Sequence, residues 1–135
     1  MTTKAEAAAD ALGAAINARS QGDILAIYAD DIIVFHGSTG QSMGKTENAG
    51  LLAGVFAISS ELEYINIKRH AIDGGVVQQD RLIGNFVVGK EIPGLEACLI
   101  IKVNESGKIT SIDEYFDGAN FAEVWERLAT LQPSQ

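Results

Sequence analysis

At 135 residues, 47% of them hydrophobic, the chain is long enough to bury one core and too short for two, so residues 1–135 read as a single domain. Its formal charge of −8, with only ten Lys and Arg and those scattered, excludes a nucleic-acid or anionic-membrane partner, either of which needs a clustered basic face. A small hydrophobic molecule is the expected partner. Cys98 is the one cysteine, so no intrachain disulfide exists, and its apolar neighbours Ala97 and Leu99 to Ile101 predict a buried thiol. Met1 to Asp10 carries acids within an alanine run rather than the basic start and apolar stretch of a secretory signal. No segment reaches the roughly 20 apolar residues of a membrane span, and a cytoplasmic location is expected.

Thr3-Lys4-Ala5-Glu6 has capping-box spacing, and Ala7, Ala11, Leu12, Ala15 and Ile16 then recur at helical period up to Arg19, predicting a first helix. Gly22-Asp23 breaks it and starts a short second helix through Ile24, Leu25, Ile27 and Tyr28. Ile32 to Phe35 is an apolar β-forming run that closes on His36, where a strand leaves the core and its side chains can face a cavity. Gly37 to Gly44 reads as a loop, and a third helix follows from Gly44 or Thr46 with Leu51, Leu52, Val55 and Phe56 as its apolar stripe.

From Glu61 the period changes to that of strands. Leu62 to Arg69 alternates, Asp73-Gly74-Gly75 signals a turn, and Val76 to Val88 reads as a long strand. Gly89 to Gly94 connects it to a strand over Leu95 to Val103; Asn104 to Lys108 is a turn, and Ile109 to Phe116 is the last strand. Phe121, Val124, Trp125 and Leu128 stripe a closing helix before the polar tail Gln132 to Gln135. Helices first and consecutive strands second give an α+β class, a curved antiparallel sheet with helices packed on one side.

Tyr28-Ala29-Asp30-Asp31, the strand to His36, Gly44-Lys45, and Gly107-Lys108-Ile109 through Glu114-Tyr115-Phe116-Asp117 together resemble the SnoaL-like branch of the nuclear transport factor 2 superfamily. That group includes ketosteroid isomerases, polyketide cyclases and limonene-1,2-epoxide hydrolases. The resemblance covers residues 5 to 130 and implies a cystatin-like cone, a bent sheet wrapped around N-terminal helices and enclosing an apolar pocket. It also implies a homodimer through the outer face of the sheet. Aligned on the Ala-Asp-Asp turn, His36 falls where ketosteroid isomerases carry their catalytic aspartate, and Arg81 and Glu114 match the arginine and one aspartate of the epoxide hydrolase site. The second hydrolase aspartate would fall at Ile83, the water-holding tyrosine near Val34, and the isomerase oxyanion-hole aspartate and tyrosine near Leu99 and Ala15, so neither mechanism transfers whole.

An apolar pocket lowers the pKa of a histidine from its ordinary 6.5, which suits His36 to accept a proton; the other reading is a histidine whose nitrogens satisfy backbone groups at a strand end. Arg81 and Glu114 lie on strands that the chain order makes expected neighbours. If they share the inner face, they form a pair in which Arg81 holds Glu114 ionised and Glu114 acts as second acid or base or orients His36; otherwise they are structural or surface charges. Asp80 and Asp113 point away from those neighbours and read as solvated. His70, between Arg69 and a turn, reads as a surface residue, and two histidines are too few for a histidine-built metal site.

Gly40-Gln41-Ser42-Met43-Gly44-Lys45-Thr46 is one residue short of the phosphate-loop spacing and lacks its parallel α/β context. Tyr64-Ile65-Asn66 spells an epoxide hydrolase motif some 30 residues out of place, a chance match. The expected activity is cofactor-independent acid–base catalysis, an isomerase, cyclase, dehydratase or hydrolase acting on a hydrophobic carbonyl or epoxide compound, with His36, Glu114 and Arg81 as its polar groups. The alternative is a noncatalytic ligand-binding or dimeric interaction module of the same fold.

Overall fold

The computed structural model describes residues 2–131. Helix α1 (Lys4–Ala18) opens on the capping box read in the sequence: Glu6 N–H donates to the Thr3 hydroxyl at 3.0 Å, and Thr3 N–H donates to the Glu6 carboxylate at 3.2 Å. Its buried stripe is Ala5, Ala8, Ala9, Leu12, Ala15 and Ile16. Arg19 ends the helix and donates to the Ser59 carbonyl at 2.6 Å, tying α1 to the start of the long strands. Helix α2 (Gln21–Ile27), capped by the Ser20 hydroxyl, buries Ile24 and runs directly into strand β1 (Tyr28–His36).

The stretch read as a loop after His36 contains a short strand, β2 (Gln41–Met43), which folds back on β1. Turn chemistry makes it: the His36 carbonyl accepts from Thr39 and Gly40 N–H at 3.2 and 2.8 Å, and Gly40 adopts φ +71°. Helix α3 (Lys45–Ile58) is followed by β3 (Ser59–Ile72), β4 (Gly75–Phe86), β5 (Glu91–Val103) and β6 (Ile109–Phe116). The strand expected to reach Val88 stops at Phe86, whose N–H is taken by the Lys90 carbonyl at 2.8 Å, and β5 therefore begins before Leu95. A 3₁₀ turn (Gly118–Phe121) and helix α4 (Ala122–Ala129) close the described chain; the polar tail Gln132 to Gln135 lies outside the described residues.

The strands form one open sheet in the order β2-β1-β6-β5-β4-β3. All neighbouring pairs are antiparallel except β1–β6, which is parallel because the first strand of the chain inserts beside the last one running the same way. The sheet is thus mixed within the expected α+β class. Ile32, Val34, Leu62, Val76, Leu99, Ile101 and Ile112 on its inner face pack against Leu12, Ile16, Val55, Phe56, Val124 and Leu128 of the helices. Register aligns one row across this face: His36 on β1, Glu114 on β6, Leu99 on β5, Gln78 on β4 and Arg69 on β3.

Candidate functional site

Between the sheet and the helices lies a cavity of about 70 Å³. Ile16 of α1, Leu51, Leu52 and Val55 of α3, and Leu62, Leu82 and Leu95 of the sheet give it apolar walls. Phe116, Phe121 and Trp125 close one side as an aromatic series with ring centroids 5.2 and 5.1 Å apart. The 3₁₀ turn that carries Phe121 is fixed by the Asp117 carboxylate, which accepts from Ala119 N–H at 2.9 Å. His36, Tyr64 and Glu114 bring polar groups to this lining.

His36 and Glu114 are register partners on the parallel pair, with Nε2 and Oε1 3.8 Å apart. His36 is 7% exposed, and burial lowers its pKa, so its imidazole is neutral at pH 7. Burial pushes the Glu114 carboxyl up to about 7, with the nearby Asp80 charge adding to the rise. The quarter of the Glu114 side chain that stays accessible belongs to a residue of the cavity lining. Among the described residues neither side chain makes a hydrogen bond, and 3.8 Å is too long for one between them. The two groups expected from the sequence to act together are therefore placed together, facing free space.

Arg81 is not with them. Strand β5 lies between β4 and β6, so the expected Arg81–Glu114 neighbourhood does not exist. Arg81 is on the outer face, paired across strands with Glu96 at 2.8 Å, with 38% and 73% of the two side chains exposed. Its guanidinium lies over Gly94, where a side chain would collide with it. The physical reason is strand parity: Val76, Gln78, Asp80 and Leu82 of β4 face inward, which turns Arg81 out.

The same parity corrects Asp80. Expected in solvent, it is 3% exposed, and burial raises its carboxyl to about 6. Gln78 Nε2 donates to its Oδ2 at 2.7 Å, Arg69 Nε donates to Gln78 Oε1 at 2.9 Å, and Arg69 reaches Asp10 at the surface. Its other oxygen, Oδ1, has no hydrogen-bond partner among the described residues. Cys98, expected buried, is half-buried on the outer face between its register partners Gln79 and Tyr115. His70 is exposed, as expected.

One tyrosine of the lining was missed as a site residue, Tyr64. Tyr64 shares strand parity with buried Leu62, which is the signal that could have found it; burial raises its pKa well above the ordinary value, with the Glu114 charge next. Tyr28 donates to Asn48 Oδ1 at 2.7 Å in the core, and burial raises its pKa as well. The site is thus an imidazole and a carboxyl, both driven toward neutrality, beside the Tyr64 phenol in apolar surroundings.

These features define a member of a known fold class: the chain has the nuclear transport factor 2-like fold, also described as cystatin-like or ketosteroid isomerase-like. No protein-family profile and no curated protein matches the sequence. Among solved structures it is similar to PrhC from Penicillium brasilianum NBRC 6234, with TM-score 0.77 and 14% identity over 96% of this chain and 90% of that one. A putative isomerase from Bacillus subtilis follows at TM-score 0.76 and 11% identity, covering 92% of this chain and 94% of that one. A steroid delta-isomerase from Pseudomonas aeruginosa is similar at TM-score 0.69 and 12% identity over 96% and 92% of the two chains. At these identities the likeness is one of fold. Among the described residues no helix is long and apolar enough to cross a membrane.

Proposed function

We propose that this chain catalyses cofactor-independent proton transfer on a small hydrophobic molecule bearing a carbonyl or epoxide group, with His36 as base and Glu114 as acid. The supporting observation is the pair itself: two ionisable groups, 3.8 Å apart and both pushed toward their neutral forms by burial, on one wall of an apolar cavity. A neutral imidazole takes a proton from carbon or from water. A carboxyl that is still protonated near pH 7 gives one to oxygen or to a second carbon. That step leaves an imidazolium beside a carboxylate, and the pair resets when the proton passes from Nε2 to Oε1, so none is gained or lost overall. Isomerisation, cyclisation, dehydration and water addition can all run on this exchange. Arg81, on the opposite face, has no part in it.

The test is turnover on a panel of hydrophobic ketones and epoxides by wild type, His36→Gln and Glu114→Gln. Each substitution should lower the rate by about 10²- to 10⁴-fold with the circular dichroism spectrum unchanged. Wild-type rates in both variants would defeat the proposal.

A second reading rests on the other side of the sheet. Ile33 and Tyr115 are 50% and 47% exposed there, and Phe35 packs on Tyr115 with ring centroids 6.1 Å apart. We propose that a second copy of the chain covers this face, as in a noncatalytic module or a dimeric enzyme. Light scattering should give a dimer that Ile33→Glu dissociates; a monomeric wild type would remove this reading.

A further inference from the structure

The cavity beside His36 and Glu114 is small for the compounds such a pocket would serve. Its 70 Å³ is the share of liquid volume of roughly two waters, and far below the roughly 300–1,000 Å³ of sites that enclose drug-sized ligands. A second depression of about 510 Å³ lies on the outside of the same wall, between α3 and α4. Leu51 and Trp125 line both spaces, so one side chain from each helix is all that is shared by cavity and groove. The rest of the groove is Gly50, Gly54, Leu128, Ala129 and Leu131, without a polar side chain. At Gly50 an added Cβ would meet nothing within 4 Å among the described residues, so among these the groove is open where α3 lacks a side chain.

We propose that the α3–α4 groove is the outer part of the binding site, and that the ligand is a neutral-headed molecule with an unbranched apolar tail. The polar head sits at His36 and Glu114 and the tail passes between Leu51 and Trp125 into the groove. Neutrality of the head follows from the lining, which carries a carboxyl and an imidazole and no lysine or arginine. A carboxylate there would face Glu114, with Asp80 buried nearby and no lysine or arginine in the lining to offset its charge. Free fatty acids are thereby disfavoured against methyl ketones of the same length. This inference rests on the proposed acid–base site for the placement of the head, and adds the length and charge of what binds.

The test is the affinity of a series of 2-alkanones, from butanone to undecanone, measured by NMR on wild type and on Gly50→Leu. Leucine at position 50 enters open space on an exposed helical site, where it is a better helix former than glycine, so the variant keeps its fold. Wild-type affinity should rise by about three- to fourfold per methylene well past the length that fills the cavity, with the Trp125 indole resonance shifting. In Gly50→Leu the rise should stop after the short ketones. A wild-type plateau at the short ketones, an unchanged slope in Gly50→Leu, binding of decanoate as tight as that of 2-decanone, or no binding of any ketone would each overturn the proposal. Failure here is separable from failure of the acid–base site, because His36→Gln removes turnover of short and long ketones alike and leaves the chain-length slope in place.

Discussion

His36 Nε2 and Glu114 Oε1 stand 3.8 Å apart on neighbouring parallel strands, and the main chains beside them are joined where Gly37 N–H donates to the Glu114 carbonyl at 2.8 Å. One residue ends the first strand and the other lies near the end of the last, so the contact forms only when the two ends of the sheet's sequence meet. The backbone ladder then holds both side chains on the inner face. Their separation is set by strand spacing and not by an attraction between them, which leaves each group's protonation governed mainly by burial.

Stability should therefore fall as pH rises through neutrality. Glu114 titrates at about 7 in the folded chain against an ordinary 4.5, so the folded state binds its proton more tightly than the unfolded state does. Its contribution is fully present below pH 4.5 and is lost as pH passes 7, amounting to about 3 kcal/mol across the window. The difference in denaturation free energy between wild type and Glu114→Gln, followed by urea titration across that window, isolates this carboxyl. A pH-independent difference would mean that Glu114 is solvated.

The imidazole works in the opposite sense. Burial lowers the His36 pKa below its ordinary 6.5, so its contribution is present above 6.5 and is lost as pH falls through the folded value. Titration of the His36 ring protons by NMR should give a midpoint below 6.5 in the free protein. A midpoint above 6.5 would show the neighbouring carboxylate outweighing burial.

Arg81 gives a prediction of near silence. Its partner Glu96 is largely in water and the pair bridges two strands on the solvent side, so Arg81→Met should change stability by less than about 1 kcal/mol. It should also leave any turnover unchanged. A loss of several kcal/mol in the denaturation midpoint would require a buried charge partner that this arrangement does not supply.

The contrast between Arg81 and Glu114 shows what the sequence could and could not say. Glu114 alternates with Ile112 and Phe116, an unambiguous apolar face, and its inward position followed from that. On β4 both parities are mixed: Val77 and Ile83 lie with Gln79 and Arg81, while Val76 and Leu82 lie with Gln78 and Asp80. A buried Gln–Asp pair is legible only once Arg69 is seen to reach it from β3. Strand order was the second gap, since nothing local states that β5 separates β4 from β6 or that β1 pairs in parallel. Helix α1 was readable to its cap because capping and periodicity are local. Strand β2 was hidden, because Gln41-Ser42-Met43 has no apolar pattern and owes its pairing to the turn at Gly40.

Two glycines beside the sheet should respond differently to the same change. A Cβ at Gly84 would collide with the Glu61 carbonyl, which belongs to the β3 backbone and is held by strand pairing. A Cβ at Gly37 would come within 2.5 Å of the Tyr115 ring, a side chain 47% exposed and free to swing outward. Gly84→Ala should cost about 1–3 kcal/mol, because the β3–β4 ladder must move apart locally. In a monomer, as in the Ile33→Glu background, Gly37→Ala should cost less, with the Tyr115 ring resonances shifted as the ring leaves Phe35. Denaturation midpoints and aromatic NMR spectra of the two variants decide it. If Gly37→Ala proves the costlier in the wild-type background, then Tyr115 is held in place, and the outer face on which it sits is covered in solution by something that fixes the ring.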